Sequence, residues 1–135
     1  MRFDIVTLFP DFFASPLSSG LLGKALAKQI AAVELVNPRD FATDKHRKVD
    51  DEPYGGGVGM VLKPEPIFAA VESLPVSPRR EVILLTPQGE PMQQSLFREL
   101  IDHYDQLVLL CGHYEGIDER VMHLVTREVS LGRSE

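Results

Sequence analysis

The chain has 135 residues, 44% hydrophobic and 25% charged, with a net charge of −6 at pH 7. That length and composition fit one globular domain with a sizeable core. No apolar run reaches the roughly 18 residues of a membrane-spanning helix, and the acidic balance excludes an overall basic surface for neutralising phosphates.

In chain order, residues 3–8 alternate and then turn apolar, which predicts a first strand. Asp4 and Pro10 break that stretch too early for a signal peptide. Leu21, Leu22, Ala25, Leu26 and Ile30 have helical spacing, predicting a helix over 21–29. Residues 32–36 read as the second strand, ended by Asn37-Pro38. From 39 to 62 the sequence predicts one long polar loop, too long for a plain connector. It holds the local basic cluster Lys45-His46-Arg47-Lys48 and the run P-Y-G-G-G-V-G-M at 53–60. Such glycine density allows close approach of backbone to a ligand. The run matches neither a dinucleotide fingerprint nor a P-loop, and a glycine hinge is the plain alternative.

Residues 64–73 carry Ile67, Phe68, Val71 and Leu74 at helical spacing behind Pro64. Residues 81–85 form an apolar strand, and Thr86-Pro87-Gln88-Gly89 is expected to end it as a turn. Ser95 is the expected N-cap of a helix through Asp102 that buries Leu96, Leu100 and Ile101. Asp102-His103-Tyr104-Asp105 resembles a metal-ligand run, but four adjacent residues cannot all face one ion, so it reads as a solvated turn. The apolar run 107–110 predicts a strand buried on both faces, ended by Cys111 and Gly112. Gly116 then allows a turn into a helix starting at Ile117 or Asp118 and running to about Leu124, with Asp118 and Glu119 complementing the positive end of its dipole. Cys111, the single cysteine, cannot form an internal disulfide and suits a reducing cytoplasm. Strands alternating with helices predict an α/β domain with a mostly parallel sheet flanked by helices. Ligands of such sheets bind beyond the carboxyl ends of the strands.

Five stretches, in order over nearly the whole chain, carry a family resemblance. They are I-V-T-L-F-P-D-F-F at 5–13, N-P-R-D-F at 37–41, D-K-H-R-K-V-D-D-E-P-Y-G-G-G-V-G-M at 44–60, L-T-P-Q-G at 85–89 and C-G-H-Y-E-G-I-D-E-R at 111–120. Together they resemble the bacterial tRNA (guanine-N1)-methyltransferases, the TrmD family of the SPOUT superfamily. The resemblance implies a trefoil-knot methyltransferase domain over residues 1–132. It also implies transfer of a methyl group from S-adenosylmethionine to N1 of the guanine 3′ of the anticodon, position 37, in tRNA. It further implies a homodimer, and Mg²⁺ as an accompanying ion for which the sequence shows no closed site.

By the same resemblance, S-adenosylmethionine lies among three loops: 85–89, 111–116 and the segment around 131–132. Leu85, Pro87, Tyr114 and Leu131 would supply apolar walls, and Gly89, Gly112, Gly116 and Gly132 bare backbone near the ligand. Glu115 is the nearest acidic side chain to favour the sulfonium, and a plain solvated carboxylate is an equal reading. The guanine-side surface maps to His46, Asp50, Tyr54, Gly55, Gly57, Gly59, His113 and Arg120. His113 invites a general-base reading, but the family's base is an aspartate farther along, and many relatives carry arginine at this position. Arg120 would hold the glycine loop or an RNA phosphate, with a purely structural role as the alternative.

After Leu131-Gly132 the sequence departs from the family pattern, with Arg133-Ser134-Glu135 in its place. The expectation is an incomplete domain that stops before the knot is closed. The family's catalytic arginine and aspartate, and its C-terminal tRNA-binding domain, would then be absent, and the chain alone inactive. The alternative is a non-catalytic nucleotide- or partner-binding module that retains the fold.

Overall fold

The computed structural model describes residues 1–8, 32–42, 50–51, 61–111 and 116–131. In chain order these form β1 (Arg2–Val6), β2 (Ala32–Val36), a 3-10 turn (Pro38–Phe41), β3 (Asp50–Asp51), β4 (Val61–Leu62) and α1 (Pro64–Glu72). There follow β5 (Arg80–Pro91), α2 (Gln94–His103), β6 (Gln106–Cys111), β7 (Gly116–Ile117), α3 (Glu119–Met122) and β8 (Arg127–Ser130). The expected helix at 21–29 lies outside the described residues.

The main sheet has the order β2-β1-β6-β5-β8, and all its pairings are parallel. This is the α/β architecture expected from the alternating pattern. The runs F-D-I-V, V-I-L-L and L-V-L-L are buried on both faces, as parallel strands must be when helices cover both sides. Alternation divides their side chains. Val6, Val82, Leu84, Val108 and Leu110 point to one side, where Ile67, Ala70 and Val71 of α1 and Val121 of α3 cover them. Phe3, Ile5, Ile83, Leu85, Leu107, Cys111 and Val129 point to the other, under Leu96 and Leu100 of α2. Phe3 also stacks on Phe97, with ring centroids 6.4 Å apart.

Buried polar groups pin the amino edge of the sheet. Asp4 is fully buried. It accepts from Arg2 Nε at 3.0 Å and from Gln106 Nε2 at 2.8 Å. The same Gln106 amide donates to Pro75 O at 2.9 Å and accepts from the Ser77 N–H at 3.1 Å. The Ser77 hydroxyl donates to Asp105.

Several elements differ from expectation. At the start of the stretch expected to be one long loop, residues 38–41 form a 3-10 turn, which Asn37 caps by accepting from Arg39 N at 3.0 Å. Farther on, β3 pairs antiparallel with β4, and β4 pairs parallel with β7. Two-residue strands have no periodicity to read. β5 does not end at Leu85 but runs on to Pro91. α2 begins at Gln94 with Gln93 as its cap and no side-chain cap bond, so Ser95 is inside the helix. The helix runs one residue past Asp102, to His103, and both of these residues are exposed. Ile101 is 39% exposed, not buried. α3 ends at Met122, short of Leu124, and β8 follows where no strand was expected.

Candidate functional site

In a parallel sheet every strand ends at the same edge. Leu85 of β5 lies opposite Cys111 of β6 on one side and Val129 of β8 on the other. Leu85, Cys111 and Val129 therefore stand level on three adjacent strands, and the segments that follow them start from that level. They are the three segments singled out from sequence.

The first segment is not a simple turn. Leu85 and Glu90 both register on Val129, so residues 86–89 are carried past β8 before pairing resumes. Gly89 makes this passage possible. A Cβ on it would lie 2.5 Å from Val129 N and 2.6 Å from Glu128 C, closer than real side chains approach backbone. Inside the segment the Thr86 hydroxyl donates to Gln88 Oε1 at 2.6 Å. Beyond it, Met92 N–H donates to Ser130 O at 2.8 Å.

The expected cofactor residues take different places at this edge. Leu85 is buried in the core beneath it. Pro87 is exposed, Gly89 half-buried, and Leu131 54% exposed. Gly116 opens β7 and pairs with Val61. Gly112, Tyr114, Glu115 and Gly132 lie outside the described residues. Cys111 closes β6, and burial pushes its thiol up to about 12, so it is no nucleophile at neutral pH.

On the guanine side, His46, Tyr54, Gly55, Gly57, Gly59 and His113 lie outside the described residues. Asp50 is in β3, opposite Leu62, and Leu62 is opposite Ile117. β4, after the glycine-rich stretch, thus lies beside the strand that follows the 112–115 segment, and β3, before it, lies one strand farther out. Arg120 is 57% exposed and engaged locally. Its Nε and Nη2 donate to Asp118 at 3.0 and 2.8 Å, and its Nη1 is 3.8 Å from Glu65. Asp118 also caps α3 by accepting from Arg120 N–H at 2.9 Å. These bonds hold its carboxyl below the usual carboxylate range. The geometry fits the structural reading of Arg120.

Sequence reasoning missed Arg127. Its Nε donates to Glu81 at 3.0 Å and its Nη1 to Glu90 at 2.7 Å. Among the described residues no three His, Cys, Asp or Glu side chains come together as a metal site, and no helix is long and apolar enough to cross a membrane.

A family model described as tRNA (Guanine-1)-methyltransferase TrmD matches residues 1–133. A tRNA (guanine-N(1)-)-methyltransferase of Nostoc punctiforme is 80% identical over 132 residues, covering 98% of this chain and 56% of that protein. Its counterpart in Synechocystis is also 80% identical over 132 residues, covering 98% of this chain and 57% of that protein. The one in Trichodesmium erythraeum is 74% identical, covering 98% and 58%. The chain thus spans a little over half the length of these curated relatives.

Proposed function

The chain belongs to the TrmD family of tRNA (guanine-1)-methyltransferases, and from that premise we propose that the carboxyl edge of β6, β5 and β8 holds S-adenosylmethionine for methylation of guanine 37 at N1 in tRNA. The observation that carries this reading is the alignment of Leu85 with both Cys111 and Val129. It gathers three segments distant in sequence at the one edge where α/β sheets bind ligands. The edge suits the group. Exposed Pro87 and Leu131 offer apolar surface to an adenosine. The 86–89 segment, forced close to β8 at Gly89, offers backbone amides and carbonyls to the adenine rim.

S-adenosylmethionine supplies an electrophilic methyl group when bound. This chain's part is to bind and orient. The 86–89 segment and Leu131 flank the edge, while Leu85, Cys111 and Val129 form an apolar floor that excludes water from beneath it. Holding reactants in line supplies several kcal/mol of a transfer barrier. N1 of guanine must also lose its proton. Cys111 is unsuited to take it, with its thiol held near 12. The family resemblance assigns that role to an aspartate outside these 135 residues. The β3–β4–β7 group, with Arg120 beside it, would face the guanine and the tRNA backbone. A homodimer and a cytoplasmic setting belong to the same proposal.

The test is incubation of unmodified tRNA with labelled S-adenosylmethionine and either this chain or a relative of full length. The expected result is transfer by the relative and none by the 135 residues alone, which nonetheless bind the donor weakly. Turnover by the chain alone within tenfold of the relative would overturn the assignment of the base outside it.

A further inference from the structure

We propose that Arg127 is a positioning residue that holds the 86–89 loop in shape, by bridging a carboxylate before the loop to one after it. Arg127 opens β8, opposite Ile83 of β5. Glu81 lies two residues ahead of Ile83, and Glu90 lies opposite Val129, where pairing resumes. One guanidinium therefore ties together the two parts of β5 that the loop separates. The contacts are charge-assisted and short, 3.0 Å to Glu81 and 2.7 Å to Glu90. The Glu81 side chain is 7% exposed and receives the Tyr104 hydroxyl as well, so the inner end is anchored in the core. The Glu90 side chain is 50% exposed, so the outer end gives way first if the bridge is lost.

The guanidinium presents Nε to one carboxylate and Nη1 to the other from a rigid plane, a spacing that a compact ammonium on a different stem does not reproduce. The bond from Met92 N–H to Ser130 O and the tight passage of Gly89 over Val129 both follow from β5 returning to β8 at Glu90. For its effect on cofactor the proposal rests on the reading of this edge as the S-adenosylmethionine site; for its effect on the loop it rests on the bridge alone.

The experiment combines amide hydrogen exchange on the ligand-free chain with calorimetry against S-adenosylmethionine, for Arg127→Gln, Arg127→Lys, Glu90→Gln and the Arg127→Gln/Glu90→Gln pair. Exchange at residues 88–90 and at Met92 is expected to quicken roughly tenfold in each single variant, the scale of one charge-assisted bond. Exchange in β1 and β6 should stay as it was. Affinity should fall by a similar factor, the pair should be no worse than either single change, and Lys should not rescue. Unchanged loop exchange in folded Arg127→Gln overturns the bridge, and full rescue by Lys overturns the need for a planar guanidinium in it. A faster loop with unaltered affinity overturns the positioning role. Should Arg127→Gln fail to fold, Glu90→Gln carries the test, because that side chain is half-exposed. If the unmodified chain binds no S-adenosylmethionine, the cofactor reading fails, and loop exchange alone decides for or against the bridge.

Discussion

Gly89 presses against the backbone of Val129 so closely that a Cβ there would sit 2.5 Å from the Val129 nitrogen. The neighbour is main chain of an adjacent strand, which cannot swing aside as a flexible side chain would. Gly89→Ala is therefore expected to destabilise the fold by about 1–3 kcal/mol, the usual cost of overpacking. It should also displace the 86–89 loop and weaken S-adenosylmethionine binding. Urea unfolding and calorimetry on the same variant check both effects. An unchanged unfolding midpoint would show that the two strands part at no cost.

The opposite edge of the sheet gives a contrasting expectation. Gln106 is fully buried, and its amide serves Asp4, Pro75 and Ser77 together. Gln106→Leu keeps the bulk but leaves a buried carboxylate oxygen one donor short and the Ser77 N–H without its acceptor. A loss of about 2–3 kcal/mol is expected. Affinity for S-adenosylmethionine, measured below the unfolding transition, should not change, because Gln106 starts β6 and Cys111 ends it. A parallel loss of affinity would mean that the two edges are coupled through the sheet.

Cys111 should resist alkylation while the protein is folded. Burial raises its thiol to about 12, and the thiolate is the reactive form. At pH 8 this alone slows iodoacetamide on the order of a thousandfold relative to a thiol of ordinary pKa near 8.5. Mass spectrometry in and out of urea measures the ratio. Equal rates would show that the floor of the site is open.

Asp118 sets an acid limit on α3. Arg120 holds its carboxyl below the usual range. A depressed carboxyl stabilises the fold above its unfolded value, about 3.9. That contribution is lost as pH falls through the lower folded value. Asp118→Ala removes the helix cap and should cost about 1 kcal/mol at pH 7. The gap between variant and parent should narrow as pH falls below about 4. A gap that is constant with pH would assign the cost to packing instead of charge.

β5 and β6 were legible because burial on both faces writes an apolar run; β1, with Asp4 inside it, and β2, mostly exposed, were legible from their β-branched and apolar residues alone. β8 was not. R-E-V-S is short and half charged, and it is set in place partly by Thr126, whose N–H and hydroxyl both reach Val82 O, at 2.9 and 3.0 Å. Thr86-Pro87-Gln88-Gly89 was misread for a related reason. Turn residues announce a change of direction, and only the pairing partner decides whether the strand resumes afterwards. The site's segments were legible as motifs, but their meeting at Leu85, Cys111 and Val129 depends on strand order. The Arg127–Glu90 bridge joins residues 37 apart and follows no local period.

The most direct measurement is a nuclear magnetic resonance titration of the isotope-labelled chain with S-adenosylmethionine, reading amide and methyl shifts residue by residue. The expected result is a saturable response at Leu85, Gly89, Cys111, Gly116 and Leu131, with Arg2, Asp105 and Gln106 silent. No response from a folded chain at saturating donor, or a response centred on the Asp4–Gln106 edge, would contradict the placement of the site.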